Sequence, residues 1–449
     1  MKDSLGTRAQ FATKLGVIAA TVGSAVGLGN IWRFPYEAGT HGGGAFLLLY
    51  VAFVILLGIP VMCAEFALGR AGGSNAAGTF RKLGSPRGWP GVGFLGIFTS
   101  FLILGFYTVV AGWTMEYILA SVTGEIGSGN TAAMHARFDA FTSSDWRPLM
   151  WTIVFIIINF LIISRGVQKG IEKISNILMP LLFVILIAFC INSLFLPKAA
   201  EGIDFLFHPD FTKIDGNTVL AAMGQAFFSL SIGMGVLMTY ASYFSQDTAL
   251  IKTAGITAVL DTAVAVLAGI IIFPAVFSFN EAPEAGPRLV FEVLPSIFSH
   301  MPGGAVWAAL FFLLLFVASL TSTISLTEVV IAYLVEELDM SRGKATVLNA
   351  AGVIVMASLA SLSFGPLRDF TICGLTFFNL LDFLSSNIFM PLGGMLICIY
   401  AGWVLRRKVL ESQLSSGEKH PAWLVRAVIF LLRYVAPPAI FAIFAGGLL

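Results

Sequence analysis

Charge is scarce in this sequence. Of its 449 residues only 11% are charged, against 57% hydrophobic, and the mean hydropathy is +0.89. A soluble domain carries about a quarter charged residues, so a water-soluble fold is excluded. The net charge of +1 leaves no basic surface for a nucleic acid. Cysteine is rare too. Cys63, Cys190, Cys373 and Cys398 stand apart in apolar segments, with no CxxC pair and no metal spacing. They read as small apolar helix residues. The five histidines fall in or beside loops, without an HExxH pattern. GxSxG and Walker patterns are also missing, so no enzyme chemistry is indicated. No stretch reads as a soluble signalling domain. Residues 1–14 lack the cleavage pattern of a signal peptide, so the first helix is expected to serve as the insertion signal.

What the chain has in excess is long apolar runs. These predict an all-α polytopic membrane protein forming one integral membrane domain over 1–449. Eleven spanning helices are expected, at 14–37, 42–70, 91–123, 148–165, 172–196, 219–244, 250–279, 304–337, 345–363, 374–405 and 422–447. The stretch 286–300 contains Pro287 and Pro295 and reads as a short helical piece in a loop. Lysine and arginine concentrate in alternate loops, around Arg81, Lys82 and Arg87, then Arg165 and Lys169, Lys252, Arg342 and Lys344, and Arg406 to Lys408. Cytoplasmic loops carry that excess, so the N-terminus is expected inside and the C-terminus outside.

The first apolar run is interrupted by Gly23-Ser24-Ala25-Val26-Gly27-Leu28-Gly29-Asn30, and Arg33 follows. Glycine favours unwinding or close backbone approach. Within lipid, an unwound backbone is tolerated only where protein or a water-filled cavity covers it. A buried arginine marks a functional site. A second interruption, Phe228-Ser229-Leu230-Ser231-Ile232-Gly233-Met234-Gly235, stands five helices later. An odd offset reverses direction across the membrane. The chain therefore reads as two inverted repeats, 11–196 and 219–406, each led by a broken helix, with an additional helix at 420–447. Such an arrangement puts a substrate and ion site near the bilayer midplane. The competing reading is tight helix packing through glycine.

The run Gly23 to Tyr36 resembles the first-helix signature of the neurotransmitter:sodium symporter family. Gly42 to Phe46 and Gly58-Ile59-Pro60 are similar to its second helix, Gln225 to Ser231 to its sixth, and Ala318 to Ser322 to its eighth. The resemblance implies a LeuT-type fold, a 5+5 inverted repeat with broken helices 1 and 6. It implies sodium-coupled uptake by alternating access. A chain with an eleventh helix and no twelfth is similar to the shorter bacterial members, which implies a multi-pass protein of a bacterial cytoplasmic (inner) membrane.

By resemblance, a first sodium would be held by Ala25, Asn30, Ser229 and Asp261, and a second by Gly23, Val26, Ala318, Thr321 and Ser322. Hard oxygen donors of this kind suit sodium. Asp261 departs from the family's usual asparagine, and Ala265 from the serine of chloride-dependent members. Asp261 thus suggests chloride-independent transport. A proton-linked or packing role is the other reading. Monoamine carriers have an aspartate at the position of Gly27. Its absence here implies a substrate that brings its own carboxylate, an amino acid. That carboxylate would meet the amides of Gly27 to Gly29 and the Tyr107 hydroxyl. The amino group would meet carbonyls near Ala25, Phe228 and Ser231. The side chain would lie among Ser24, Ile103, Val110, Phe228, Met234, Ser322 and Leu326. With no charge there, hydrophobic or aromatic L-amino acids are favoured. Met234 either widens the pocket or is plain core filler. Arg33 with Asp382, and Arg8 with Glu336, are expected as outer and inner gates. Partners are the small-molecule substrate, sodium and membrane lipid, without nucleic acid.

Overall fold

The computed structural model describes residues 10–126, 131–280, 289–417 and 419–446. Eight described helices are long and apolar enough to cross a membrane. In chain order they are α2 (Gly44–Gly72), α3 (Pro90–Val122), α5 (Val167–Ser193), α7 (Leu250–Ser278), α8 (Gly304–Glu337), α9 (Arg342–Leu362), α10 (Phe377–Val404) and α11 (Ala422–Gly446). The broken α1 (Lys14–Ala25, then Gly29–Thr40), the shorter α4 (Arg147–Ile163) and the broken α6 (Gly216–Ser229, then Val236–Ala241) fill the remaining places. Each expected span thus has a helical counterpart.

Differences lie at the edges. Helix α5 starts at Val167, five residues early, because Gly166 takes φ +84 and a widened turn over Val167–Glu172 extends the helix. Helix α10 starts later, after a hairpin of β1 (Thr371–Ile372) and β2 (Leu375–Thr376). The connections hold short helices at Ala76–Lys82, Thr131–Thr142, Ala199–Phe207 and Arg407–Ser415. These are too short or too polar to register as spans.

The two breaks set the geometry. In α1, Thr13 caps the start by accepting from the Gly16 amide at 2.9 Å. The helix ends at Val26, where the backbone turns extended (φ −67°, ψ 115°), and the chain resumes at Gly29 with a bend of 50°. In α6, the stretch after Ser229 makes a tight turn in which Ser231, Gly233 and Gly235 have φ of +55°, +83° and +74°. Glycine takes that conformation freely; the serine there is held by a side-chain contact to α1. Glu65 of α2 accepts from the freed Gly233 amide at 2.8 Å, so a carboxylate covers the second break. Helices α3 and α8 run alongside one another, and α3 reaches both breaks, through Tyr107 to Leu28 and Ser100 to the Met234 carbonyl, while α8 reaches the first through Ser322.

Candidate functional site

The breaks in α1 and α6 face each other. Ser231 Oγ donates to the Ser24 carbonyl at 2.8 Å, and Gln225 Nε2 donates to the Gly29 carbonyl at 2.8 Å. Against them lies Asp261 of α7, wholly buried. Its Oδ1 accepts from Asn30 Nδ2 at 2.8 Å, and its Oδ2 accepts from Ser229 Oγ at 2.5 Å and Tyr50 Oη at 3.3 Å. All three donors are neutral. Among the described residues no cationic side chain contacts Asp261. A buried carboxylate without a counter-charge is costly. Oxygen atoms of Ser229, Tyr50 and Asp261 converge here, the kind of hard donor that a small monovalent cation takes, while Asn30 turns its amide nitrogen to them and its Oδ1 to the Gly27 amide. Sodium fits this donor chemistry.

A second group forms where α1 meets α8. Ser322 Oγ donates to the Val26 carbonyl at 3.1 Å. Thr321 Oγ1 donates to the Ala318 carbonyl at 3.0 Å, leaving its lone pairs free to accept. A side chain at Gly23 would lie 3.4 Å from Thr321 Cβ, so the two residues abut. Gly23, Val26, Ala318, Thr321 and Ser322 are thereby brought together.

Two of the amides expected to meet a carboxylate have partners within the protein. Gly27 N–H donates to Asn30 Oδ1 at 3.0 Å and Leu28 N–H donates to Tyr107 Oη at 2.8 Å. A Cβ at Gly27 would lie 2.6 Å from both Ser322 Oγ and Tyr107 Oη, so a side chain here has to displace both hydroxyls. Ser24, Ile103, Val110, Met234 and Leu326 are all buried, at 4% exposure or less. Above them is a cavity of about 250 Å³, bordered by Leu28, Gly29, Arg33, Tyr107, Phe228 and Asp382.

The outer gate differs from expectation. Arg33 and Asp382 share this cavity but are not paired. Arg33 Nε lies 3.4 Å from Glu37 Oε1, one helical turn on, and its guanidinium stacks 4.8 Å from the Phe228 ring centroid. A partner at i+4 on the same helix costs no rearrangement between helices. Asp382 instead accepts from Ser386 Oγ at 3.0 Å. Glu37 was legible from that i, i+4 spacing. Arg8 lies outside the described residues. Its expected partner Glu336 accepts from the Asn75 amide at 2.8 Å and from Ser74 Oγ at 2.9 Å, fastening the end of α8 to the loop after α2.

Two discontinuous helices facing one another around buried oxygen ligands define a membrane carrier. The family model of the sodium:neurotransmitter symporter family matches residues 8–141 and 128–448, and the chain belongs to that family. It is similar to the uncharacterized sodium-dependent transporter YhdH of Bacillus subtilis, 37% identical over 97% of this chain and 96% of the relative. An uncharacterized sodium-dependent transporter of Haemophilus influenzae is 36% identical over 98% of each chain. Among solved structures, MhsT in complex with L-phenylalanine superposes with a TM-score of 0.92 at 44% identity, covering 98% of this chain and 100% of that one. The fold is therefore the LeuT type. The protein is a multi-pass sodium-coupled transporter, not an enzyme.

Proposed function

We propose that this transporter carries hydrophobic or aromatic L-amino acids into the cell with sodium, at two sodium sites and without a chloride requirement. The observation that carries the reading is Asp261, a fully buried carboxylate whose three side-chain partners are all neutral. A bound sodium supplies its missing counter-charge. The fixed negative charge then takes over the role that chloride has in chloride-dependent relatives. Gly27, which brings no carboxylate and whose Cβ position is crowded by the Ser322 and Tyr107 hydroxyls, supports a zwitterionic substrate whose own carboxylate completes the site. The structural similarity to a protein solved with L-phenylalanine favours a large apolar side chain. Ala25, Asn30, Ser229 and Asp261 would hold one ion, and Gly23, Val26, Ala318, Thr321 and Ser322 the other. Arg33 with Asp382 would close the outside and Arg8 with Glu336 the inside. The basic loops support an N-terminus in the cytoplasm and a C-terminus outside, in a bacterial inner membrane.

The test is a thermal-shift screen of the twenty amino acids in sodium and in potassium buffer. Stabilisation by apolar and aromatic L-amino acids in sodium alone supports the reading. Equal shifts in both salts would sink it. Uptake into proteoliposomes with gluconate replacing chloride tests the chloride statement, and loss of uptake by the wild-type protein overturns it.

A further inference from the structure

Far from the central site, where the first halves of α1 and α7 begin, lies a crevice of about 380 Å³. Its mouth carries Lys14, Lys252 and Lys419 together with His420, and its floor is apolar, with Val17, Ile18 and Ile256. Charge here is unbalanced. Asp247 is the acidic residue of the lining, and Lys419 engages it, at 3.8 Å from the carboxylate. Lys14 and Lys252 have no ion-pair partner among the described residues. His420 Nε2 is shielded from solvent yet has no hydrogen-bond partner among the described residues. Burial, and then the positive charges of Lys252 and Lys419, hold the His420 imidazole below its usual range. The site therefore presents a surplus of positive charge with an unused buried nitrogen.

The apolar part is arranged by helix period. On α7, Lys252 precedes Ile256 by four residues. On α1, Lys14 precedes Val17 and Ile18 by three and four. Each helix thus carries a cation at its end and a greasy stripe running away from it along one face. Thr257 Oγ1 donates to Thr21 Oγ1 at 3.0 Å and closes the crevice above. The wall is firmly built. The buried Arg70 guanidinium donates to the Thr248 carbonyl at 2.6 Å, and Ser416 Oγ accepts from the Leu250 amide at 3.3 Å.

We propose that this crevice between α1 and α7 binds one anionic phospholipid, its phosphate on Lys14, Lys252 and Lys419 and an acyl chain along Ile18 and Ile256. Basic pockets at the membrane boundary recognise anionic headgroups in this way, and a free phosphate would have no use for the apolar stripes. Because Lys14 and Ile18 belong to the first half of α1, a lipid seated there braces that half against α7.

The test is native mass spectrometry of the full-length delipidated protein titrated with dioleoyl phosphatidylglycerol or dioleoyl phosphatidylethanolamine. The wild type is expected to retain one phosphatidylglycerol at least tenfold more tightly than phosphatidylethanolamine. The triple variant K14Q/K252Q/K419Q loses that preference. The charge-matched control K169Q/K173Q/K344Q keeps it, and the single variant K252Q shows an intermediate loss if the triple variant does not fold. Excess glycerol 3-phosphate, which is the headgroup chemistry without chains, leaves the adduct in place. Equal retention of the two lipids by the wild type, equal loss in the control variant, or displacement by glycerol 3-phosphate would each overturn the proposal. Lipid retention is read without transport, so its outcome is separate from that of the uptake assays.

Discussion

Asn30 and Asp261, more than two hundred positions apart in the chain, are joined by a 2.8 Å hydrogen bond from the Asn30 amide to the Asp261 carboxylate. The contact pins the broken part of α1 to an unbroken helix. It also places the Asp261 carboxyl group beside the other residues expected to hold sodium.

Asp261→Asn keeps the shape and an oxygen ligand but removes the charge. Charge-assisted hydrogen bonds contribute about 1.5–3 kcal/mol, and 1.4 kcal/mol is about tenfold in an equilibrium constant. Uptake by this variant in chloride-free buffer is expected to fall about tenfold or more. Added chloride should restore part of it. Radiolabelled uptake with and without chloride measures both; a variant indifferent to chloride and as active as wild type contradicts the role given to Asp261.

Gly27→Ala inserts a methyl group 2.6 Å from the Ser322 and Tyr107 hydroxyl oxygens. Overpacking of this kind costs about 1–3 kcal/mol. The site sits where the two helix breaks meet, so sodium-dependent stabilisation by an amino acid should weaken at least tenfold. Thermal-shift titration gives the answer, with melting in potassium as the folding control.

Glu65→Ala leaves the buried Gly233 amide without its acceptor at 2.8 Å. An unsatisfied buried donor costs about 1–3 kcal/mol. The variant should melt several degrees lower in detergent, irrespective of sodium. Loss of ligand response at unchanged melting temperature would instead assign Glu65 to the transport site.

Arg33 distinguishes two partners. Its present contact with Glu37 is partly exposed and within one helix, and such pairs contribute about 0–1 kcal/mol. Glu37→Gln should barely change stability or uptake. Asp382→Asn should slow uptake severalfold without lowering the melting temperature, because the proposed pairing with Arg33 belongs to the closed form. Equal effects of both substitutions on uptake would remove the special role of Asp382.

Met234→Phe narrows the space proposed for the substrate side chain. Thermal-shift ranking of ligands should move from large aromatic amino acids toward smaller aliphatic ones. An unchanged ranking means that Met234 only fills the core.

The membrane character, the order of helices and both breaks are local properties. Apolar runs, glycine clusters and proline positions carry them, so they could be read without coordinates. The convergence of Asn30, Ser229 and Asp261 was inferred from family resemblance, since no periodicity links residues so far apart. The contact of Arg33 with Glu37 is legible in their i, i+4 spacing, whereas a pairing of Arg33 with Asp382 depends on how distant helices move. The short loop helices went unseen for a different reason: with so few residues, their patterns fall below the length that marks a span.

By itself, the sequence determined that this chain lives in a membrane and that its first and sixth helices cannot run unbroken, because glycine and buried polar groups make a continuous lipid-facing helix unfavourable. Tertiary structure alone decided which polar groups meet. Ser231 reaches the Ser24 carbonyl, Glu65 covers the Gly233 amide and Asp261 is surrounded by neutral donors. The physical reason is that every freed or buried polar group in so apolar a bundle must find its partner across helices, and only the packing fixes which one is within reach.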